Sequence, residues 1–351
     1  MPTPMFQERP RNGDEPEEEF DIDLDELVEL EELEDLESDI PLLLEKPPVE
    51  PPTGSLAAFS GEAVDADEVV RLSDLGRNAV RRMRAEWPAV PVESRRQIVR
   101  LMDELAEARF ELAFGRALRI ALADEDDAVR QLALAALWND ESSDLAGLLL
   151  QIIENDPSFD VRAAAARAIL PYTTRAELGE FDDDLTDALR TRLLAIALDS
   201  TENPLVQRHA LEAASVFGGE EIADLIETAY DSGEQDQMGS ALYAMGRSSS
   251  LRWLSTVLTD LESDDAHLRF EAARAAGMIS SDAAVPDLLA MMDGEEDVEV
   301  RHAAIGALGH IGGKAAIRAL KTLSAHAEEA DVDVIQEALE DASVVDGDSG
   351  Q

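Results

Sequence analysis

The chain has 351 residues, a length that predicts one large domain or two of ordinary size. Its 77 acidic and 29 basic residues give a formal net charge of -48, and 45% of the residues are hydrophobic although only 4% are aromatic. Such a negative field repels nucleic acid and anionic membrane surfaces, because both bind proteins mainly through Lys and Arg. There is no cysteine, which excludes disulfides, thiolate metal sites and cysteine nucleophiles.

Residues 1–55 are predicted to form a disordered acidic tail. This segment holds 19 acidic and 3 basic residues together with several prolines, a composition that buries too little apolar surface to fold. Within it, Phe20, Ile22 and Leu24 alternate with aspartates. Two interpretations stay open: a solubilising tail, or a linear motif that folds when it docks into an arginine-lined groove. Because the start of the chain lacks the pattern of a signal peptide and no long uncharged apolar run follows, we expect a cytoplasmic protein without membrane insertion.

Residues 56–109 are predicted to be an N-terminal helical capping region. The runs Asp65–Trp87 and Ser94–Met102 have helical patterns, but they depart from the units that follow them. Such departures are expected where a stacked array ends against solvent.

From about residue 110 the sequence repeats. Alanines recur three and six residues after a position that is usually arginine, and six copies of this pattern are spaced 32, 45, 31, 31 and 32 residues apart. In chain order, the arginine position holds Arg130, Arg162, Gln207, Met238, Arg269 and Arg301. Residues at this spacing share one side of a helix, and small side chains there let a second helix approach closely.

A second amphipathic stretch separates successive copies, so each unit is predicted to be a pair of antiparallel helices. One pair buries only one side, whereas stacked pairs share a continuous core. We therefore predict an all-α protein: a right-handed α-solenoid of about seven or eight antiparallel helix pairs over residues 110–342, followed by a disordered acidic end at residues 343–351. The longest interval predicts an insertion at about Tyr172–Asp184.

The pattern resembles HEAT repeats, in particular the short bacterial form named after the phycobilin lyases. The resemblance is carried by the Asp-x-Val-Arg turn, the paired alanines and the segment Ala-Leu-Gly-His-Ile-Gly-Gly-Lys-Ala at residues 307–315. It covers about residues 110–327 and implies that the second helix of each pair lines a concave surface. It also implies a structural role for the repeated arginines, in pairs with turn aspartates. These aspartates are Asp127, Asp160, Asp265 and Asp297.

The positions one and five after the arginine position lie four residues apart on the second helix, away from the alanines. Along the array they hold arginines, aromatic residues and a histidine, termed the concave row: Arg167, Arg208, Tyr243, Phe270, Arg274 and His302. Arginine and aromatic side chains are common anchors of protein interfaces. We expect part of this row to bind a partner. In the alternative interpretation, the aromatic residues fill gaps between repeats and the arginines pair with local glutamates.

The favoured function is a non-catalytic scaffold that binds a protein or peptide on the concave row, without cofactor, metal or nucleic acid. The alternative is a subunit of an enzyme or chaperone that acts on a protein-bound group, as lyase-type and hydroxylase-type HEAT proteins do. The hydroxylase type coordinates iron through His-Glu pairs, but none of the five histidines here precedes a glutamate. A further hypothesis is autoinhibition, in which residues 20–24 of the tail occupy the concave row until a partner displaces them.

Overall fold

The structure is a computed structural model that describes residues 56, 59, 64–327 and 329–348. All of these residues lie in one compact unit, Lys46–Gln351. The predicted tail 1–55, with its motif Phe20, Ile22 and Leu24, holds none of the described residues, so the hypotheses about the tail stay predictions.

All regular structure in the described ranges is helical, as the sequence predicts. The α-helices are α1 (Ala66–Val70), α2 (Arg77–Glu86), α3 (Val92–Ala108), α4 (Gly115–Ala121), α5 (Asp127–Ala136), α6 (Ser143–Asn155), α7 (Phe159–Ala168), α8 (Leu170–Glu177), α9 (Asp183–Leu198), α10 (Pro204–Ala214), α11 (Glu220–Tyr230), α12 (Gln235–Arg247), α13 (Leu254–Asp260), α14 (Ala266–Ile279), α15 (Val285–Met292), α16 (Val298–Ile311), α17 (Gly313–Ser324) and α18 (Val332–Asp348). Short 3-10 helices lie at Trp87–Ala89, Ser215–Phe217, Leu251–Trp253, Asp282–Ala284 and Glu329–Asp331. None of the described helices combines the length and the apolar character that crossing a membrane requires.

The helices form two layers. The alanine layer consists of α5, α7, α10, α12, α14, α16 and α18, and each of these helices packs against the previous and the next member of the layer. The outer layer consists of α4, α6, α9, α11, α13, α15 and α17, and each of these helices packs against the alanine-layer helix that follows it in the chain. Since α2 packs on α4 and α3 on α5, the N-terminal region adds an eighth pair to the seven repeats. The prediction of an all-α HEAT-like solenoid of antiparallel helix pairs is confirmed, and its right-handed sense stays a prediction.

The last helix differs from the prediction at the C-terminus. Helix α18 continues to Asp348, so the predicted boundary at residue 342 falls inside a helix, and residues 349–351 lie outside the described ranges. The atypical copy at the end of the array therefore still contributes a full helix to the alanine layer.

Small side chains form the core between the two layers. Of the twelve alanines that define the repeats, eleven are buried, and Ala168 is partly exposed. Because alanine has a single methyl group, neighbouring helices in this layer approach one another more closely than helices that carry Leu or Ile at the interface.

Glycines tighten the C-terminal half of the alanine layer further. They lie eight residues after the arginine position, at Gly246, Gly277 and Gly309. A Cβ atom on Gly277 would lie 2.8 Å from the Cα atom of Ala307 on the next helix. The buried side chains of the outer-layer helices are larger, mostly Leu, Ile and Val. The closer approach in the alanine layer therefore favours a curve towards this layer, and we call its exposed side the concave side.

The repeated arginines link each repeat to the next one. Arg130 donates from Nε and Nη2 to the Asp156 carboxylate, both at 2.8 Å, and from Nη1 to the carbonyl oxygen of Asp124 at 2.7 Å. Equivalent pairs join Arg162 to Glu202, Arg269 to Glu295 and Arg301 to Asp331.

The structural role predicted for these arginines agrees with the contacts, but the predicted partners were wrong. The carboxylate comes from the turn of the following repeat rather than from the turn of the same repeat. Asp265 and Asp297 are instead engaged at the N-termini of their own helices, where each accepts two backbone N–H groups. We refer to the arginine–carboxylate pairs together as the arginine ladder.

Candidate functional site

The arginine ladder is interrupted in the middle of the array. Gln207 on α10 and Met238 on α12 occupy the arginine position, and only Gln207 keeps a bond to its own turn, through the Asp199 carbonyl oxygen. On the concave side, the same two helices and the flanking α7 and α14 surround an open hollow of about 360 Å³, termed the polar depression. Its charged and aromatic lining includes Arg167, Arg208, Glu212, Tyr243, Glu271 and Arg274.

Four of the six residues of the concave row thus line one depression. Phe270 adjoins it through Arg274, whose guanidinium carbon lies 5.5 Å from the centre of the Phe270 ring. His302 is not part of it: this side chain lies on α16 and contacts Asp331 at 3.1 Å. His302 lies outside the depression because each further repeat places its row residues one helix spacing, about 8–10 Å, farther along the stack.

Arg274 organises the aromatic part of the depression. Its guanidinium also lies over the Tyr243 ring, 4.6 Å from the centre, and its Nη1 contacts both carboxylate oxygens of Glu271, at 3.1 and 3.0 Å. Burial raises the pKa of the Glu271 carboxyl, and the Arg274 charge opposes this shift. The arginine–glutamate contact that the alternative interpretation predicts therefore exists here, while both rings stay partly exposed on the concave side.

Glu212 forms the centre of a second polar cluster. Its Oε2 lies 2.9 Å from Nδ1 of His209, and its Oε1 accepts a hydrogen bond from the Ser240 hydroxyl at 2.6 Å. The carboxylate is buried, and these contacts satisfy its oxygens. The cluster joins α10 to α12 where the arginine ladder is missing.

Arg247 holds together the helices that carry this site. The sequence did not predict this role. Nε of Arg247 donates to the carbonyl oxygen of Glu212 at 3.0 Å, and its Nη2 donates to the Thr173 hydroxyl at 2.9 Å. Burial lowers the pKa of the Arg247 guanidinium. This side chain ties α12 to α10 and to α8. No local motif indicates it, because its partners are 35 to 77 residues away in the chain.

Arg167 and Arg208 differ in their contacts. Arg208 has a distant ion pair with the exposed Asp236, at 3.6 Å. Arg167 is exposed, and its side chain has no hydrogen bond or ion pair with any residue in the described part of the chain.

A larger hollow of about 540 Å³, termed the apolar groove, adjoins the polar depression and shares Arg167 and Leu170 with it. Its lining includes Leu134, Trp138, Pro171 and Tyr172, from α5 to α8. Trp138 is 60% exposed.

The position eight after the arginine position differs between this part of the array and its C-terminal half. That position holds Trp138 and Leu170 in the first two repeats, but glycine in the last three complete ones. Both side chains line the groove, and helix α8, which lies in the interval of 45 residues, adds Pro171 and Tyr172 to its lining. Sequence analysis missed Trp138, although its position relative to Arg130 was a usable signal.

The site offers guanidinium donors, aromatic faces and an imidazole–carboxylate pair to a ligand. In the described ranges, no group of three or more His, Asp or Glu side chains has the geometry to hold a metal ion.

A comparison with protein families matches the last repeats of the array. Residues 252–342 match the family model described as HEAT repeats. No curated protein matches the chain. The crystal structure of Escherichia coli YibA is similar to this chain at 15% identity and a TM-score of 0.41, covering 81% of this chain and 98% of that one. The structure of human deoxyhypusine hydroxylase in complex with glycerol is similar at 17% identity and a TM-score of 0.34, covering 79% and 96%. Structural similarity at this level carries no argument about fold or function, and the match to HEAT repeats extends over residues 252–342.

Proposed function

We propose that this chain is a non-catalytic scaffold that binds a protein or peptide partner on its concave surface, at the polar depression. The observation that carries the proposal is the convergence of Arg167, Arg208, Tyr243 and Arg274 in one open hollow. Such residues are enriched among the anchors of protein interfaces. Their concentration here is informative because only 4% of the chain is aromatic and acidic residues outnumber basic ones by more than two to one.

The aromatic anchor residues are held in place by their neighbours, and this supports the proposal. Tyr243 and Phe270 both pack against the Arg274 guanidinium, which is itself held by Glu271. Side chains that are already ordered lose little conformational entropy when a ligand covers them. The aromatic residues are therefore suited to bind a partner without rearrangement.

Three narrower proposals accompany this function. The repeats are assigned to the phycobilin-lyase-type form, on the sequence of residues 307–315. The protein is placed in the cytoplasm, on the composition of its sequence. Nucleic acid is excluded as a partner, because a net charge of -48 opposes its approach.

The test compares partner binding by the wild-type chain and by the double variant Tyr243→Ala plus Phe270→Ala. A partner identified by affinity purification is titrated calorimetrically, and we expect the double variant to bind it at least tenfold more weakly, since aromatic anchors commonly contribute more than about 1.4 kcal/mol. The control is Leu251→Ala, at an apolar residue that is 66% exposed and lies next to the outer-layer helix α13. Undiminished binding of every partner by the double variant would refute the assignment.

Elemental and cofactor analysis of the purified full chain tests the catalytic alternative. A scaffold retains no stoichiometric metal or cofactor, whereas an enzyme subunit of the hydroxylase type requires its metal. A stoichiometric metal that activity depends on would replace the scaffold proposal by the enzymatic one.

A further inference from the structure

We infer that the apolar groove and Arg167 together form a docking surface for a peptide segment with an apolar anchor residue beside a single carboxylate side chain. This inference rests on the proposed function and narrows it, because it names the chemistry of the partner and adds Trp138 to the binding residues.

The apolar half of this surface is preformed. Trp138 is 60% exposed, whereas Trp87 and Trp253 are buried. The opposite wall is fixed, since the Tyr172 hydroxyl donates to the Asp140 carbonyl oxygen and the Tyr172 ring stacks on Phe181. A rigid groove with an exposed indole is suited to receive an aliphatic or aromatic side chain.

The polar half is defined by the charge that lacks a counter-ion. Arg175, which also lines the groove, pairs with Glu180 at 2.6 Å. In the polar depression, Arg274 pairs with Glu271 at 3.0 Å. The Arg167 side chain has no hydrogen bond or ion pair with a carboxylate within the described ranges. This is unusual for the chain, because residues 56–327 contain 49 acidic residues against 26 basic ones.

A carboxylate is the group that complements Arg167. A guanidinium binds a carboxylate through two parallel hydrogen bonds, and this geometry favours Asp or Glu over a neutral side chain. Because Arg167 lines both hollows, the carboxylate must lie next to the residue that enters the apolar groove.

The net charge of the protein limits the ligand to few carboxylates. At physiological ionic strength, charges are screened over about 8 Å, so the surrounding acidic surface repels a polyanionic segment while a single carboxylate at Arg167 is attracted. The rest of the segment is therefore neutral or basic.

The experiment selects peptides from a random dodecapeptide library displayed on phage, with the full-length chain as bait. We expect enriched peptides to share an apolar residue next to one Asp or Glu. A parallel selection on Arg167→Glu should replace that acidic residue by Lys or Arg. This reversal is a result that a merely structural role of Arg167 does not produce.

Affinities of one enriched peptide are then measured by fluorescence polarisation. We expect Trp138→Ala and Arg167→Gln each to weaken binding at least tenfold, while Phe110→Ala leaves it unchanged. Phe110 is the matched control because it is an aromatic residue that is 98% exposed and lines neither hollow.

Three results would overturn the inference: no enrichment, an acidic preference that persists on Arg167→Glu, or affinities indifferent to Trp138→Ala and Arg167→Gln. A peptide that needs Tyr243 and Phe270 but neither Trp138 nor Arg167 refutes this inference and leaves the proposed function in place. A partner that ignores all four residues refutes both.

Discussion

Replacing Gly277 by alanine tests how closely the helices of the alanine layer are packed. Gly277 lies on α14 and faces α16, and a Cβ atom added to it would lie 2.8 Å from Cα and 3.0 Å from Cβ of Ala307. The neighbouring atoms belong to the backbone and to a methyl group, so no flexible side chain can move aside. One helix must therefore shift away from the other.

Two opposing effects set the magnitude. Alanine stabilises a helix by about 1 kcal/mol relative to glycine, because glycine loses more backbone entropy on folding. Overpacking a tight interface costs about 1–3 kcal/mol. Gly306→Ala isolates the first effect, because Gly306 lies on α16 of the same layer and a Cβ atom there meets nothing within 4 Å. The difference between the two variants is then the overpacking cost itself.

The assay is denaturant unfolding of the full chain, followed by far-ultraviolet circular dichroism. We expect Gly306→Ala to raise the free energy of unfolding by about 1 kcal/mol and Gly277→Ala to lie about 1–3 kcal/mol below Gly306→Ala. Equal stabilities would show that the layer relaxes without cost, which would refute close packing at this contact.

Two further predictions concern charged groups. Arg130→Met should lower the free energy of unfolding by about 3–5 kcal/mol, because it leaves the Asp156 side chain, which is 0% exposed, without its counter-ion. The control Arg192→Met removes an ion pair whose arginine is 36% exposed and should lower it by less than about 1 kcal/mol. Equal losses in the two variants would contradict this reasoning. Burial raises the pKa of Asp260, so the folded state binds the proton more tightly than the unfolded state, and stability decreases as the pH rises through the folded-state pKa. As the pH is lowered from neutrality towards the ordinary pKa of an aspartate, about 3.9, the stability of the wild type should therefore rise relative to Asp260→Asn, which still accepts the Tyr230 hydrogen bond. A constant difference over this range would refute the assignment.

The repeat architecture was predictable because it follows from short-range spacing. Alanines three residues apart must share a helix face, and the buried side chains of Ala133 and Ala272 confirm that face. The partners of the arginines were not predictable in the same way. Both candidate carboxylates lie in turns at the same edge of the array, and the distance between stacked helices determines which one an arginine such as Arg130 reaches.

The candidate site was predictable only in part, for a related reason. The helix period identifies residues on the concave side, such as Arg208 and Tyr243. It does not predict how far along the array a single hollow extends. His302 lies outside the polar depression for this reason. Arg247 escaped prediction because its contacts join three elements that are distant in sequence. Trp138 was missed although it lies eight residues after Arg130, because the spacing gives its position in the repeat but not its exposure, which depends on the neighbouring helices.

The position of the candidate site follows from where the repeat is irregular. A ladder arginine at residues 207 and 238 would fix adjacent repeats through ion pairs, as Arg269 does with Glu295. Gln207 and Met238 cannot form such ion pairs. Hydrogen bonds of Glu212 and Arg247 connect α10 and α12 instead. Natural sequences commonly depart from local rules at functional positions and compensate elsewhere. Ion pairs hold the repeats that have ladder arginines to their neighbours. The central helices α10 and α12 lack these pairs and carry Arg208 and Tyr243 of the proposed binding surface.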